Sequence, residues 1–190
     1  MRVAVAILAA GKARRFGRQK LLEIWRGRPL LEHALRAASE VSGADVRLVT
    51  GDERYANLAA LYAARVVHNP RFEDGIGTSI AAVAAACDDD TDALVIVLGD
   101  QPLVTGGHLR ALIAAWDGEE GSIVATAYAG TQGPPVLFGG TYFSELATLD
   151  DDSGAKGVLR AHADRVRTVR FEPAAFDVDT PVDLDRLDHY

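Results

Sequence analysis

The sequence predicts an α/β layer fold built on a parallel sheet. Two observations carry the prediction. Apolar runs of strand length alternate with segments of helical period, and several of those runs are apolar on both faces, as a sheet covered by helices on each side requires. Low-complexity tracts, internal repeats and long linkers are missing from the 190 residues. Residues 1–190 are therefore expected to form one domain.

The elements follow in order. Val3 to Leu8 reads as the first strand, Leu30 to Val41 as a helix, Val46 to Thr50 as a strand and Arg54 to Ala63 as a helix. Arg65 to His68 is a short strand, and Thr78 to Cys87 is an alanine-rich helix with Thr78 or Ser79 near its cap. Ala93 to Leu98 is an uncharged strand, followed by a helix over His108 to Trp116 and a strand over Ser122 to Ala127. The second half is less regular. Pro134 to Phe138 and Val166 to Phe171 read as strands, Gly139 to Thr148 and Gly154 to His162 as helices, and Pro181 to Leu187 as a terminal helix. Thr180 suits the N-cap of that helix, with Pro181 and Asp183 in its first turn. Right-handed crossovers place the loops at the C-terminal strand ends, the edge where open α/β sheets bind ligands.

Composition narrows the function classes. The chain is 48% hydrophobic and 25% charged, ordinary globular usage. With 20 Lys and Arg against 27 Asp and Glu, its net charge of −7 argues against general binding to nucleic acid or an anionic membrane. One cysteine, Cys87, makes no internal disulfide, and no Cys/His cluster has zinc-ligand spacing, so a reducing cytosol is the expected home. Arg2 followed by Val3 to Ala10 imitates a secretory signal, but the run is short and leads straight into Lys12, Arg14 and Arg15. Gly75 to Cys87, an uncharged and largely apolar stretch, falls short of the ~20 residues a membrane span needs.

The most informative segment leaves the first strand directly: Leu8-Ala9-Ala10-Gly11-Lys12-Ala13-Arg14-Arg15-Phe16-Gly17-Arg18-Gln19-Lys20. Gly11 and Gly17 allow close backbone approach to a ligand, and cationic side chains crowd around them, which suits a polyphosphate. Between Lys12 and Arg28 seven Lys or Arg face only Glu23, a local charge of +6 that leaves −13 for the remainder. A solvated loop with scattered surface arginines has the same composition. Two familiar glycine motifs fail: five residues rather than four separate Gly11 from Gly17, with Arg18 next, and no third glycine completes G-x-G-x-x-G.

The pattern L-A-A-G-x-x-x-R-x-G-x-x-K resembles the signature of the MobA-like NTP transferases, and most closely that of the molybdenum cofactor cytidylyltransferase branch. The resemblance runs along the whole chain through Gly75-Ile76-Gly77-Thr78-Ser79, Gly99-Asp100-Gln101-Pro102-Leu103, Gly133-Pro134-Pro135-Val136, Asp152-Ser153-Gly154-Ala155 and Asp177-Val178-Asp179-Thr180-Pro181. It implies a Rossmann-like three-layer sandwich with a mostly parallel central sheet, of the nucleotide-diphospho-sugar transferase type. It also implies transfer of CMP, or else GMP, from the triphosphate to the phosphate of molybdopterin or molybdenum cofactor, with release of pyrophosphate.

The resemblance assigns roles residue by residue. Arg15, Lys20 and Asp100 are the catalytic candidates, with Arg15 on the β- and γ-phosphates and Lys20 on the α-phosphate. Leu8, Ala9, Ala10, Gly11, Gly17, Lys20, Gly75, Thr78, Ser79 and Gly99 are the nucleotide-binding candidates. Ala10 favours CTP over GTP, since relatives that use GTP tend to carry glycine there. Asp100 is expected to hold Mg2+ with Asp179 or Asp177, two aspartates that an extended segment places on one face with Val178 on the other. As alternatives, Asp100 caps the helix after Pro102 and Asp179 the last helix. Gln101, Pro135, Asp152 and Gly154 are the acceptor-binding candidates. Pro134 and Asp151 depart from the family pattern, which often has a polar residue and a glycine there.

Cys87, Trp25 and Trp116 read as packing residues, and the five histidines show no metal-ligand spacing or nucleophile partner. Besides the triphosphate and a molybdopterin-type acceptor, the resemblance implies a recipient molybdoenzyme or chaperone as a partner. Two other readings stay open: a nucleotidyltransferase for another phosphorylated acceptor, such as a sugar phosphate or small phospho-acid, and an NAD(P)-dependent oxidoreductase on a Rossmann-like sheet.

Overall fold

The computed structural model describes residues 1–9, 19–150 and 152–190. The expectations for Ala10, Gly11, Arg15 and Gly17 fall outside the described residues. The chain begins with β1 (Val3–Leu8) and, after Lys20, makes a small antiparallel ribbon of β2 (Ile24–Trp25) and β3 (Arg28–Pro29). Then come α1 (Leu30–Ser39), β4 (Asp45–Thr50), α2 (Ala56–Leu61), β5 (Arg65–His68), α3 (Ile76–Ala85), β6 (Ala93–Leu98) and α4 (Gly106–Ala115). The second half holds β7 (Ile123–Tyr128), β8 (Thr131–Gly139), α5 (Phe143–Leu146), α6 (Lys156–Ala161), β9 (Val166–Arg170) and α7 (Pro181–Leu187).

Among the described residues, seven strands form one sheet in the order β5-β4-β1-β6-β8-β7-β9. The β5, β4, β1 and β6 pairings are parallel, as is β7 with β9, while β8 runs antiparallel to β6 and β7. The sheet is buried by helices on both faces, giving three layers. On one face Val5, Ile7, Val95 and Val97 pack with Leu31 and Leu35 of α1 and Leu109 and Leu112 of α4. On the other, Ala4, Ala6, Leu94 and Ile96 pack with Ile80 and Val83 of α3, Leu146 of α5 and Leu159 of α6. Successive strand residues serve opposite faces, which is why these strands are apolar throughout. The central strand β1 has β4 on one side and β6 on the other, so the chain reverses its direction across the sheet there. A crevice at the C-terminal ends of such strands is the default ligand site of an open α/β sheet.

Several boundaries differ from the sequence reading for local reasons. Arg54 to Ala63 divides into a 3-10 turn, Glu53–Tyr55, and α2, because the Asp52 side chain accepts from the Arg54 N–H at 3.0 Å and starts a tight turn. α3 begins at Ile76, two residues before the expected start, with Gly75 as its N-cap and Thr78 close to it in the first turn. Gly139 ends β8 instead of starting a helix, since a side chain there would collide with the Glu120 carbonyl. Gly154 lies in a turn at φ +57 before α6. The β2–β3 ribbon, absent from the sequence reading, closes through Arg26 and Gly27, both at positive φ, a turn that matches the twist of paired strands. Thr180 caps α7 as expected, in a capping box with Asp183.

Candidate active site

The site is built where β1 and β6 end side by side. The Gly99 N–H donates to the Leu8 carbonyl at 3.0 Å, and a Cβ on Gly99 would stand 3.1 Å from that oxygen. The Ala9 N–H donates to Val49 O at 2.9 Å on the opposite side. Leu8, Ala9 and Gly99 thus close the end of the sheet at the switch point, and Asp100 emerges next to them.

Two caps decide what the aspartates are available for. Thr105 caps α4 by accepting from the His108 N–H at 3.2 Å, so Asp100 is not the cap of that helix. Asp183 completes the α7 capping box with Thr180, which leaves Asp179 out of it, although the Asp179 N–H donates to Asp183 Oδ2 at 3.2 Å. The Val178 N–H donates to Asp100 O at 3.0 Å, and the Val178 side chain is buried with Trp25, Leu30 and Leu187. Burying Val178 turns Asp177 and Asp179 outward, and both are exposed.

Lys20 ties the cluster together. It opens a 3-10 turn, Lys20–Leu22, anchored by buried Leu21. Its Nζ donates to Asp100 Oδ2 at 2.8 Å and to Asp179 Oδ1 at 3.2 Å. The Lys20 side chain is 12% exposed, that of Asp100 24% and that of Asp179 54%. Burial works against the ammonium charge, but Asp100 and then Asp179 outweigh it and hold the Lys20 pKa above the ordinary lysine value. Crowding by protein atoms, then the Asp100 charge, pushes the Asp177 carboxyl up to about 6, against a hydrogen bond with Gln101.

These residues fit a divalent cation of the magnesium kind. Mg2+ takes one or two carboxylates and completes its shell with water and substrate phosphate. The Lys20 ammonium already lies between Asp100 and Asp179, so the two carboxylates converge on a positive charge. Among the described residues no group of three or more His, Cys, Asp or Glu forms a ready-made cage.

A cavity of about 920 Å3 opens beside Lys20 and Asp100, large enough for a nucleotide. Leu8, Ala9, Gly75, Ser79 and Asp152 also line it. Ser79 is set by Asn69, which is buried after β5 and donates from Nδ2 to Ser79 Oγ at 2.9 Å and Thr78 Oγ1 at 3.0 Å. With that lone pair taken, the Ser79 hydroxyl hydrogen is left to donate. Thr78 stands off the cavity wall, its hydroxyl held by Gly75 O at 2.8 Å and Arg71 O at 2.9 Å.

The opposite wall escaped the sequence reading. Thr50, Gly51, Asp52, Arg54 and Tyr55 line it from the turn after β4, with Phe72 against Gly51. The Asp52 carboxylate takes the Arg54 guanidinium at 2.7–3.0 Å, and Tyr55 donates to Gln19 Oε1 at 2.9 Å. Burial raises the Tyr55 hydroxyl to about 12, so it stays protonated. The signal for this wall was positional: β4 neighbours β1 at the switch point, and Gly51-Asp52 follows β4 directly.

The acceptor candidates divide. Asp152 lines the cavity, whereas Gln101, Pro135 and Gly154 do not. Gln101 is buried and donates from Nε2 to Ala174 O at 2.8 Å, pinning the segment that leads to Asp177. Pro135 O accepts from Thr126 Oγ1 at 2.7 Å, and the same hydroxyl bonds His108 Nε2 at 2.8 Å. Since the hydroxyl donates to Pro135, His108 donates from Nε2, consistent with a ring that burial holds neutral, its pKa lowered to about 4. A Cβ on Gly154 would stand 2.9 Å from Ile76 Cγ2, so its turn packs against the start of α3.

The chain is similar to known proteins over nearly its full length. It is 31% identical to the purine catabolism protein PucB of Bacillus subtilis over 196 aligned residues, covering 95% of this chain and 93% of that protein. The crystal structure of Rv0371c from Mycobacterium tuberculosis superposes with a TM-score of 0.84 at 30% identity, covering 99% of this chain and 98% of that one. Its complex with manganese superposes with a TM-score of 0.79 at 29% identity, covering 98% of each chain. Residues 5–166 match the MobA-like NTP transferase domain, and the chain belongs to that nucleotidyltransferase family.

Proposed function

We propose that this chain is a cytosolic, Mg2+-dependent cytidylyltransferase, a single domain over residues 1–190, that moves CMP from CTP to the phosphate of molybdopterin or molybdenum cofactor and releases pyrophosphate. The observation that carries the reading is Lys20 joined to Asp100 and Asp179 at the mouth of a nucleotide-sized cavity. An oxygen of the acceptor phosphate forms a bond to the α-phosphorus of CTP. The bond from that phosphorus to the β-bridging oxygen breaks, and its electron pair leaves with pyrophosphate. Charge builds on phosphoryl oxygens, so positioned cations and donors do most of the work. Lys20 faces the α-phosphate, Arg15 the β- and γ-phosphates, and Asp100 with Asp179 or Asp177 holds the divalent cation. That cation neutralises phosphate charge when bound. Ser79, Gly75 and the Gly11 and Gly17 loop hold the nucleoside and triphosphate, and Ala10 favours cytosine over guanine. Asp152 faces the acceptor, with Gln101, Pro135 and Gly154 shaping its side, and a molybdoenzyme or its chaperone receives the product.

The test is pyrophosphate release with Mg2+, molybdenum cofactor and each of the four nucleoside triphosphates. Fastest release with CTP is expected. Preference for GTP overturns the base assignment, and release with sugar phosphates but not with molybdenum cofactor overturns the acceptor. No release with any nucleotide or acceptor overturns the catalytic reading.

A further inference from the structure

The Lys20 ammonium uses the very carboxylates assigned to the divalent cation, and this suggests an order of events. We propose that Lys20 is the resident counter-cation of Asp100 and Asp179, that it competes with free divalent metal for them, and that the triphosphate admits the metal by drawing Lys20 away. The inference rests on the divalent-cation reading above.

Three observations support it. Lys20 Nζ bonds both carboxylates at once, at 2.8 and 3.2 Å, so a cation arriving between them meets a positive charge already in place. At 12% exposure the Lys20 side chain has little water to retreat into, and releasing it requires another anion. Lys20 also lines the cavity assigned to the nucleotide, which places phosphate oxygens within its reach. Asp177 adds a third carboxylate, so among the described residues one lysine faces three aspartates and the cluster stays attractive to a cation once the ammonium has moved. Nucleotide and metal are then linked: each favours the state of Lys20 that the other needs.

The experiment measures binding rather than turnover. The paramagnetic resonance signal of free aqueous Mn2+ is titrated with the wild-type protein, Lys20→Met and Lys20→Arg, without nucleotide, after thermal melts establish that all three are folded. Lys20→Met should bind Mn2+ about tenfold more tightly than wild type, since the competitor is gone. Lys20→Arg keeps the charge and should stay within about threefold of wild type. Equal affinity in wild type and Lys20→Met, or weaker binding by Lys20→Met, overturns the competition. Mn2+ binding by none of the three folded proteins overturns the inference, and if the wild type with CTP added also takes up no Mn2+ beyond what free CTP binds, the divalent-cation reading itself is contradicted.

Discussion

The two edges of the central sheet each carry a cluster of charges, and the clusters are built in opposite ways. At the N-terminal strand ends, Arg47 is 1% exposed and is held by Asp45, Asp88 and the Ala86 carbonyl. Arg65 pairs with Asp45 and Asp88, and Arg2 with Asp88 and Asp90. Arginines and aspartates match in number there. At the C-terminal ends, Lys20 bonds Asp100 and Asp179 with Asp177 beside them, and among the described residues the neighbouring carboxylates help push Asp177 up to about 6. A matched cluster spends its charges on the fold, whereas a mismatched one leaves charge for a ligand.

Mutation separates the edges. Asp100→Asn should lower kcat by about a thousandfold, with a melting temperature within about 2 °C of wild type. Steady-state kinetics beside a thermal melt checks both, and activity within tenfold of wild type breaks the functional side of the comparison. Arg47→Met should do the reverse, costing about 3 kcal/mol in chemical denaturation because Asp45 and Asp88 lose a buried partner, with kcat of the folded protein unchanged.

Asp177 sharpens the comparison through pH. Its folded value of about 6 lies above the ordinary 3.8, so the folded chain favours its protonated form. That contribution to stability is complete below the unfolded value and is lost as pH rises through about 6. Asp177→Asn, neutral at every pH, should match wild type near pH 4 and melt higher above pH 6, by about 2 °C given the exposure of the residue. A melting difference that is constant across that range contradicts the crowding of the three carboxylates. The smallest effect is expected at the exposed end of the matched cluster, where Arg2→Ala should move the melting temperature by about 1 °C, as scanning calorimetry can resolve.

The central parallel strands were legible because burial on both faces leaves unbroken apolar runs, and β1 and β6 begin and end where those runs do. The antiparallel strand was harder. Pro134 and Pro135 fall where the β7–β8 register shifts between Ala125 and Thr126, so prolines without an N–H sit outside the paired positions of a strand longer than its apolar core suggests. At the site, Lys20, Asp100 and the Asp177 to Asp179 segment were legible from local pattern and family resemblance. Their meeting was not, since Lys20 and Asp179 are joined only by folding. The wall made by Asp52, Arg54 and Tyr55 looks in sequence like any polar turn after a strand, and only the neighbouring of β4 and β1 brings it to the cavity.

The account stands most directly on which phosphorus of the nucleotide moves. CTP labelled at the α-phosphorus and CTP labelled at the γ-phosphorus are each incubated with the protein, Mg2+ and molybdenum cofactor, and the products are separated. The α label should pass to the acceptor and the γ label should leave in pyrophosphate, with both transfers lost in Asp100→Asn. Transfer of the γ label to the acceptor, or no movement of either label, would contradict a nucleotidyltransferase at this edge of the sheet.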